Sequence, residues 1–274
     1  MHHLACNFPA SGVTIYNDFD LAMRMIQTPL RLLLALAALL TIAEARAAQA
    51  QTGAQKVLAA MIEALGGKAF LEVKEIHTTG RFYEFNRGEL TGADVFVDYI
   101  KFPDMERTEF GRERNRSITI NKGNEGWTIE GRNKEVARQS AVKVEEFLAY
   151  FRTSFDYVTR FVLDLPRTTV QSVGTEFVDF KRADVIEIRD PAKNLIRLYI
   201  DRETRLPLKM QVRRANDSTL REELYSNWHK VNGVMTPLYV ARSSNGMKTM
   251  EIRVETAAYN SGLDDALFAP PAAK

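Results

Sequence analysis

Polar and apolar residues alternate along much of the chain, a pattern typical of β-strands with one solvated face. Within 247–256, Met250, Ile252 and Val254 alternate with charged residues. In Leu195–Asp201 apolar residues fall on both faces, so we expect this strand to be covered on both sides. The mixture predicts a curved sheet with helices on its concave side.

The predicted strands follow a helix whose apolar residues recur at a spacing of three and four and which ends at Gly66-Gly67. Short turns such as Asn121–Glu125 join neighbouring strands, which favours antiparallel pairing. Because no helix alternates with the strands, a parallel α/β sheet is not expected. The pattern predicts an α+β fold with a mostly antiparallel sheet of about 11 strands. The segments with strand character are Lys74–Phe85, Ala93–Phe102, Glu106–Phe110, Ser117–Asn121, Gly126–Glu130, Val170–Phe180, Ala183–Asp190, Leu195–Asp201, Leu206–Arg214, Leu220–Lys230, Val234–Ser243 and Thr249–Ala257.

A long helical block is predicted from about residue 135 to 165, where Pro166 ends it. Thr153-Ser154 is a candidate break that would divide the block into two helices. The apolar residues of this block recur at a spacing of three and four and form a stripe along one side. Such a stripe fits an amphipathic helix that faces the core. Because the stripe is wide and aromatic, the alternative is a lid over an apolar cavity. The lid candidates are Phe147, Phe151 and Phe155.

The N-terminal region has the pattern of a secretory signal peptide. Leu32–Ile42 is an uncharged run of eleven residues, shorter than the about 20 that span a membrane. Arginines precede the run, and Ala45-Arg46-Ala47 follows it as a small-residue cleavage site. We expect cleavage after Ala47; cleavage after Ala50 and an uncut signal anchor are the alternatives. The mature protein is then periplasmic, with residues 48–274 forming one domain.

Composition excludes several classes of function. The chain of 274 residues has 37 basic and 35 acidic residues, and this balance argues against a bulk electrostatic nucleic-acid binder. Cys6 is its one cysteine, which excludes a disulfide scaffold and a thiolate zinc site. Residues 1–22 fit poorly in front of a signal peptide, so we expect the true start at Met23 or Met25. No metal, cofactor or nucleic-acid partner is expected.

Several short motifs occur in a recognisable order. They are Leu65-Gly66-Gly67 before the strand that begins at Val73, the turn Gly123–Trp127, the strand–turn–strand segment Ile200–Leu208, Tyr225–Trp228 with Val231–Val234 and Pro237, and the closing Leu263–Phe268. Over roughly 55–270, this order resembles the LolA/LolB superfamily of envelope lipoprotein carriers, including outer-membrane lipoprotein-sorting proteins and LolA-like segments associated with some zinc proteases. The resemblance implies an unclosed half β-barrel whose helices cover the concave face and enclose an apolar cavity.

The resemblance directs attention to apolar strand residues as candidate walls of that cavity. Each of them is equally compatible with an ordinary core position. The wall candidates are Phe96, Ile100, Ile120, Trp127, Ile129, Leu198, Ile200, Leu208, Met210, Trp228, Met250 and Ile252.

The common catalytic motifs are missing from the sequence, including H-E-x-x-H, G-x-S-x-G and a phosphate-binding loop. His77 and His229 could each pair with a carboxylate such as Glu223, but a surface or hydrogen-bonded strand histidine is the simpler interpretation. Asp264-Asp265 fits the start of a helix, where acidic groups favour the dipole. We therefore expect no catalytic residues and no enzyme.

A basic cluster lies near the middle of the first strand group. Acidic residues interleave it, which favours a solvated face; a docking patch for lipid headgroups or an acidic partner is the alternative. The basic residues are Arg107, Arg112, Arg114 and Arg116, and the acidic ones are Glu106, Glu109 and Glu113.

Three functions remain after these exclusions. The first is a periplasmic carrier or chaperone that holds the acyl chains of a lipid or acylated lipoprotein non-covalently, with an inner- or outer-membrane envelope protein as a possible partner. The second is a module of the same fold that recognises a protein partner or senses the state of the envelope, without lipid transport. A filled interior and an exposed apolar patch would distinguish this function. The third is an enzyme whose catalytic motif is none of those named above. A histidine and carboxylates in one cleft would distinguish this function.

Overall fold

The computed structural model describes residues 52–112, 115–130 and 135–270. The expected signal peptide and its cleavage sites lie outside these residues. No helix in the described ranges is long and apolar enough to cross a membrane.

Four α-helices and two short 3-10 helices accompany the strands in the described part of the chain. Helix α1 spans 52–65, α2 Lys68–Leu71, α3 Ala141–Phe151 and α4 Phe155–Arg160, and the 3-10 helices are Val162–Asp164 and Asp265–Phe268. The strands are β1 Glu75–Asn86, β2 Glu89–Lys101, β3 Met105–Phe110, β4 Ser117–Lys122, β5 Glu125–Glu130, β6 Glu135–Arg138, β7 Thr169–Val178, β8 Lys181–Arg189, β9 Leu195–Asp201, β10 Pro207–Arg213, β11 Leu220–Val231, β12 Val234–Ser244 and β13 Met247–Tyr259.

All of these strands form one antiparallel sheet. Its order is β6-β5-β4-β3-β2-β1-β13-β12-β11-β10-β9-β8-β7, so β6 and β7 are its two edges and the sheet is not closed. The pairing of β1 with β13 joins the two strand groups, with Ile76 opposite Tyr259 and Phe82 opposite Ile252. The predicted fold class is confirmed, with 13 strands in place of about 11.

The helical block begins later than predicted. Residues Glu135–Arg138 form β6, which pairs with β5 so that Val136 lies opposite Ile129. Tertiary pairing therefore overrides the helical pattern here, because β5 offers an open edge to a short polar and β-branched segment. The helix starts only after Ser140, whose side chain accepts a hydrogen bond from the backbone N–H of Lys143.

The predicted break at Thr153-Ser154 is confirmed. Helix α3 ends at Phe151, and Ser154 caps α4 by accepting a hydrogen bond of 3.3 Å from the backbone N–H of Tyr157. The opening helix also ends as predicted, with positive φ angles of 128° at Gly66 and 57° at Gly67.

The main hydrophobic core joins the helices to one face of the sheet, called here the helix-covered face. Leu58, Met61 and Leu65 of α1 are buried with Val158 of α4. Fully buried residues of β8, β9 and β10 complete this core, so this end of the face is filled. The strand residues are Ile186, Ile188, Ile196, Leu198, Ile200, Met210 and Val212.

Candidate functional site

A cavity of about 200 Å³ lies between the helix-covered face and helices α3 and α4. Strands β1, β2, β11, β12 and β13 supply its apolar walls. Alternation along each strand sends every second side chain to this face, which is why β2 contributes Phe96 and Ile100 while Val97 and Tyr99 face away. The apolar lining includes Ile76, Phe96, Ile100, Phe102, Trp228, Val240, Ile252 and Val254.

Aromatic side chains form the helical wall of the cavity. Phe151 at the end of α3 is buried, and its ring lies 5.8 Å from that of Phe102 and 5.3 Å from that of Phe147. Phe155 at the start of α4 lies 5.4 Å from the ring of Tyr225 on β11. Contacts at these distances hold the two helices against the sheet without filling the space between them.

A hydrogen-bonded group connects α3 to the floor of the cavity. Glu223 on β11 accepts hydrogen bonds from the hydroxyl of Tyr150 at 3.1 Å, the hydroxyl of Tyr225 at 2.7 Å and Nε of Arg242 at 2.8 Å. Burial raises the pKa of Tyr150 and of Tyr225, so both remain protonated donors. We call Tyr150, Glu223 and Arg242 the α3 latch, because Tyr150 belongs to α3 and its partners belong to the sheet.

Two further carboxyl groups face the cavity. Asp98 accepts a hydrogen bond of 2.9 Å from Thr108, whereas Glu106 has no hydrogen-bond partner among the described residues. Burial raises the pKa of Asp98 to about 6. Burial and the nearby negative charge of Asp98 raise the pKa of Glu106 to about 8, against the opposing effect of Arg242. Near neutral pH, Glu106 is therefore mainly protonated.

Arg160 of α4 also lines the cavity, and 1% of its side chain is exposed. Its guanidinium donates to the backbone carbonyl of Phe70 at 3.0 Å, stacks 3.9 Å above the Phe70 ring and pairs with Asp156. These bonds fix α4 to the helix that follows α1, so α4 is held more firmly than α3.

The site suits non-covalent binding. The two arginines of the cavity each pair with a carboxylate, which leaves Asp98 and Glu106 as the groups without a cationic partner. An apolar chain can lie along the walls, while the carboxyl side of the cavity offers hydrogen-bond acceptors, or donors when protonated. No group of three or more His, Cys, Asp or Glu side chains that could hold a metal ion occurs in the described ranges.

The structure brings six of the predicted site residues to the cavity and places nine elsewhere. Those that line it are Phe96, Ile100, Trp228, Ile252, Phe151 and Phe155. Leu198, Ile200 and Met210 lie in the main core, and Leu208 lies in a smaller cluster with Val185 and Tyr199. Ile120, Trp127 and Ile129 pack around Phe268, and Met250 and Phe147 are half-buried outside the lining. Period-two alternation shows which residues of a strand share a face, but not which face of the sheet the helices cover or whether a helix fills the space above it. Ile120, Trp127 and Ile129 share the face of Tyr99, which is turned away from the cavity.

The histidines do not form a catalytic group with the carboxylates considered. His77 stacks on Tyr99 at 4.6 Å, and Nε2 of His229 lies 3.0 Å from the side-chain oxygen of Asn227. Asp264 caps the 3-10 helix Asp265–Phe268 by accepting from the backbone N–H of Ala266, as the sequence predicted.

Two members of the predicted basic cluster pair with acid, whereas Arg112 is exposed, and Arg114 and Glu113 lie outside the described residues. Arg107 and Arg116 both contact Glu109, at 2.7 and 2.6 Å. Glu106 does not belong to this face, because strand alternation turns it into the cavity.

Sequence reasoning missed the polar groups of the cavity. One signal was available for Asp98, which occupies the same face as Phe96 and Ile100 and is therefore a charged residue on an apolar face. The α3 latch has no such pattern in the sequence, because Tyr150 of α3 lies 73 positions from Glu223 of β11.

Comparisons with known proteins concern the fold. No protein-family model matches the chain, and no curated protein matches it. Among solved structures, a LolA superfamily protein from Nitrosomonas europaea aligns with a TM-score of 0.53 at 12% identity, covering 79% of this chain and 97% of that chain. The chain has a LolA-like fold.

Two further solved structures share this fold. A DUF1329 family protein from Desulfovibrio piger aligns with a TM-score of 0.56 at 15% identity, over 79% of this chain and 97% of that chain. A domain from Vibrio parahaemolyticus described as an outer membrane lipoprotein-sorting protein aligns with a TM-score of 0.52 at 15% identity, over 78% and 97%. The resemblance stated from the sequence motifs is therefore confirmed for the fold, and the LolA-like sheet carries the cavity described above.

Proposed function

We propose that this protein is a periplasmic carrier that holds the acyl chains of a lipid or lipoprotein non-covalently in the cavity beneath α3 and α4. The observation that carries the proposal is the cavity, where apolar side chains of five strands face aromatic side chains of two short helices. Each CH₂ group that leaves water for such surroundings contributes about 0.8 kcal/mol, so an acyl chain can be held without catalytic or metal chemistry. The LolA-like fold supports the same choice of cargo.

Uptake of a whole acyl chain requires the cavity to widen. Its volume of about 200 Å³ lies below the roughly 300–1,000 Å³ of pockets that bury a drug-sized ligand. Helix α3 is the movable wall, because its polar link to the cavity floor is the hydrogen bond from Tyr150 to Glu223. Helix α4 stays in place, since Val158 and Arg160 anchor it in the core.

The location is proposed from the N-terminal pattern. We propose that residues 1–47 direct export and that residues 48–274 form the mature carrier. The intact mass of protein isolated from a bacterial periplasm tests this, because cleavage after Ala47 and cleavage after Ala50 give chains that differ by three residues. A chain that retains its N-terminus in the membrane fraction would overturn the proposal.

Native mass spectrometry of the mature protein, purified from periplasm without detergent, tests the carrier function. We expect additional mass that is released as extractable phospholipid or acylated peptide. Phe151→Asp places a charge on the aromatic wall and should abolish that mass. Val142→Asp is the matched control, because Val142 lies on the same helix with 63% exposure and should retain the ligand.

Circular dichroism of both variants verifies that the sheet is intact. A clean mass that does not change on incubation with lipid vesicles would overturn the carrier proposal in favour of recognition of a protein partner. Equal ligand loading of the two variants would show that lipid binds somewhere other than the cavity.

A further inference from the structure

The charged side chains that line the cavity do not balance. Among the described lining residues, four side chains are acidic and two are basic. The basic ones, Arg160 and Arg242, are each bonded to one carboxylate. Asp98 and Glu106 are the two remaining acids, so the excess of negative charge in the cavity belongs to them.

Strand pairing places these two carboxyls close together on the helix-covered face. Asp98 of β2 lies opposite Thr108 of β3, and Ile100 lies opposite Glu106. Asp98 and Glu106 are thus diagonal neighbours on one face, at a separation that a small group between them can bridge. Thr78 of β1 lies opposite Asp98 and also lines the cavity. This side of the cavity therefore offers two carboxyls and a hydroxyl.

Apolar side chains flank the carboxyl pair. Phe96 and Ile100 lie on either side of Asp98 along β2, and both line the cavity. An ionised carboxylate in such surroundings is costly unless a positive charge meets it. Protonation lowers this cost, and burial accordingly raises the pKa of Glu106 to about 8 and that of Asp98 to about 6. A ligand with its own positive charge would lower the cost in place of the proton.

A primary ammonium group fits this place better than a metal ion does. No group of three or more His, Cys, Asp or Glu side chains that could hold a metal occurs in the ranges described by the structure, and the cavity offers only a pair here. An ammonium group carries three N–H donors and no acceptor. Two carboxyls and a hydroxyl supply as many acceptors.

We infer that the cavity takes an amphiphile whose polar end is a primary ammonium group, with that group between the carboxyls of Asp98 and Glu106 and its hydrocarbon chain along the apolar walls. The inference rests on the proposed carrier function and deepens it, because it names the polar end of the ligand held in the same cavity. A ligand that ends in a carboxylate fits poorly, since its charge has the same sign as the excess charge of the lining.

Calorimetric titration with three probes of equal chain length tests this inference. The mature protein is titrated at pH 7 with decylamine, decanol and decanoate. We expect decylamine to bind about tenfold more tightly than decanol, because hydrogen bonds between charged groups are stronger than neutral ones. Decanoate should bind most weakly of the three. Binding of decanol reports on the apolar cavity alone.

Two variants assign the preference to the carboxyl pair. Glu106→Gln and Asp98→Asn each remove one carboxyl at nearly constant size, and each should reduce the preference for decylamine over decanol. The double variant should abolish it. Glu130→Gln, at an exposed position of β5, is the matched control and should keep the preference of the wild type. Thermal unfolding of each variant verifies that it is folded.

The pH dependence of the wild type gives a readout that needs no variant. The carboxyls lose protons between pH 5 and pH 8, so the affinity for decylamine should rise over this range while that for decanol does not. The tyrosines of the lining stay neutral, because burial raises the pKa of each. The other titratable and charged groups of the lining are Tyr150 of α3, Asp156 and Arg160 of α4, Glu223 and Tyr225 of β11, Arg242 of β12 and Tyr259 of β13.

Single-chain phospholipids distinguish two sources of the ammonium group. Tighter binding of lysophosphatidylethanolamine than of lysophosphatidylglycerol would show that the cavity accepts an ammonium group beside a phosphate. Preference for decylamine without that difference would assign the site to an amine that lacks a phosphate. Both results support an ammonium ligand.

Three results would overturn the inference. Equal affinities of the wild type for decylamine and decanol would do so and would leave the carrier function in place. A preference for decylamine that survives in the double variant would place the ammonium group away from Asp98 and Glu106. If none of the three probes binds, the carrier function itself is wrong, and the inference is wrong with it.

Discussion

The hydroxyl of Tyr150 donates a hydrogen bond of 3.1 Å to Glu223, and this bond joins helix α3 to strand β11 across the cavity. Glu223 is held in turn by Arg242, whose guanidinium lies 5.2 Å from the centre of the Tyr150 ring. Helix α3 is thereby attached to a charged group of the sheet as well as to apolar side chains. Its attachment can be altered without changing the shape of the cavity.

Removal of this bond should loosen α3. Tyr150→Phe deletes one hydrogen bond to a charged acceptor, which contributes about 1.5–3 kcal/mol, and leaves the ring in place. We expect a lower free energy of unfolding in urea and faster entry of a fluorescent fatty acid in stopped-flow measurements. Tyr157→Phe is the control, because the Tyr157 hydroxyl makes no hydrogen bond within the described residues. Equal entry rates for the two variants would show that the latch does not limit opening.

Glu106 should make the stability depend on pH. Its pKa is about 8 in the folded protein and near the ordinary 4.5 in the unfolded chain, so between these values the folded state binds more protons. The free energy of unfolding therefore falls as the pH rises from about 4.5 to about 8. Glu106→Gln removes this contribution, and we expect the variant to gain stability relative to the wild type on going from pH 5 to pH 8.5.

Urea denaturation at the two pH values measures the effect. Glu130→Gln, at an exposed position of β5, should keep the wild-type difference between pH 5 and pH 8.5. Asp98, with its pKa raised to about 6, contributes in the same direction over a lower range. A Glu106→Gln variant with an unchanged pH dependence would place the titration at another group.

Leu198 should behave as a core residue and not as a cavity wall. It is fully buried between β9 and the helices, so Leu198→Ala should lower the free energy of unfolding by about 2–5 kcal/mol. At temperatures where the variant is folded, its affinity for lipid should equal that of the wild type. Ile252→Ala, at the cavity, should instead weaken binding. Calorimetric unfolding combined with fatty-acid titration of both variants distinguishes the two positions.

Ser154 should contribute to the separation of helices α3 and α4. Its side chain caps α4, so Ser154→Ala should cost about 1 kcal/mol of stability. Ser154→Asp keeps an oxygen acceptor at the same position and should restore most of it. Thermal unfolding of the two variants measures the difference, and an Asp variant as unstable as the Ala variant would show that the cap is not the cause.

The strand pattern shows how much of the fold can be predicted from local sequence. Each predicted strand segment forms a strand, and the break at Ser154 and the cap at Asp264 were visible as well. These features depend on alternation, turn residues and side-chain acceptors within a few positions of one another. The motif order also predicted the LolA-like fold.

The sequence by itself thus determined the antiparallel sheet, its strand segments and the division of the helical block at Ser154. The tertiary structure decided that β6 joins the open edge of β5 and that Leu198 is core while Ile252 lines a cavity. It also decided that Glu106 lies close enough to Asp98 to be affected by its charge and that Tyr150 donates a hydrogen bond to Glu223. These outcomes depend on strand order, register and helix placement, which bring together residues far apart in the chain, and local patterns carry no information about such distances.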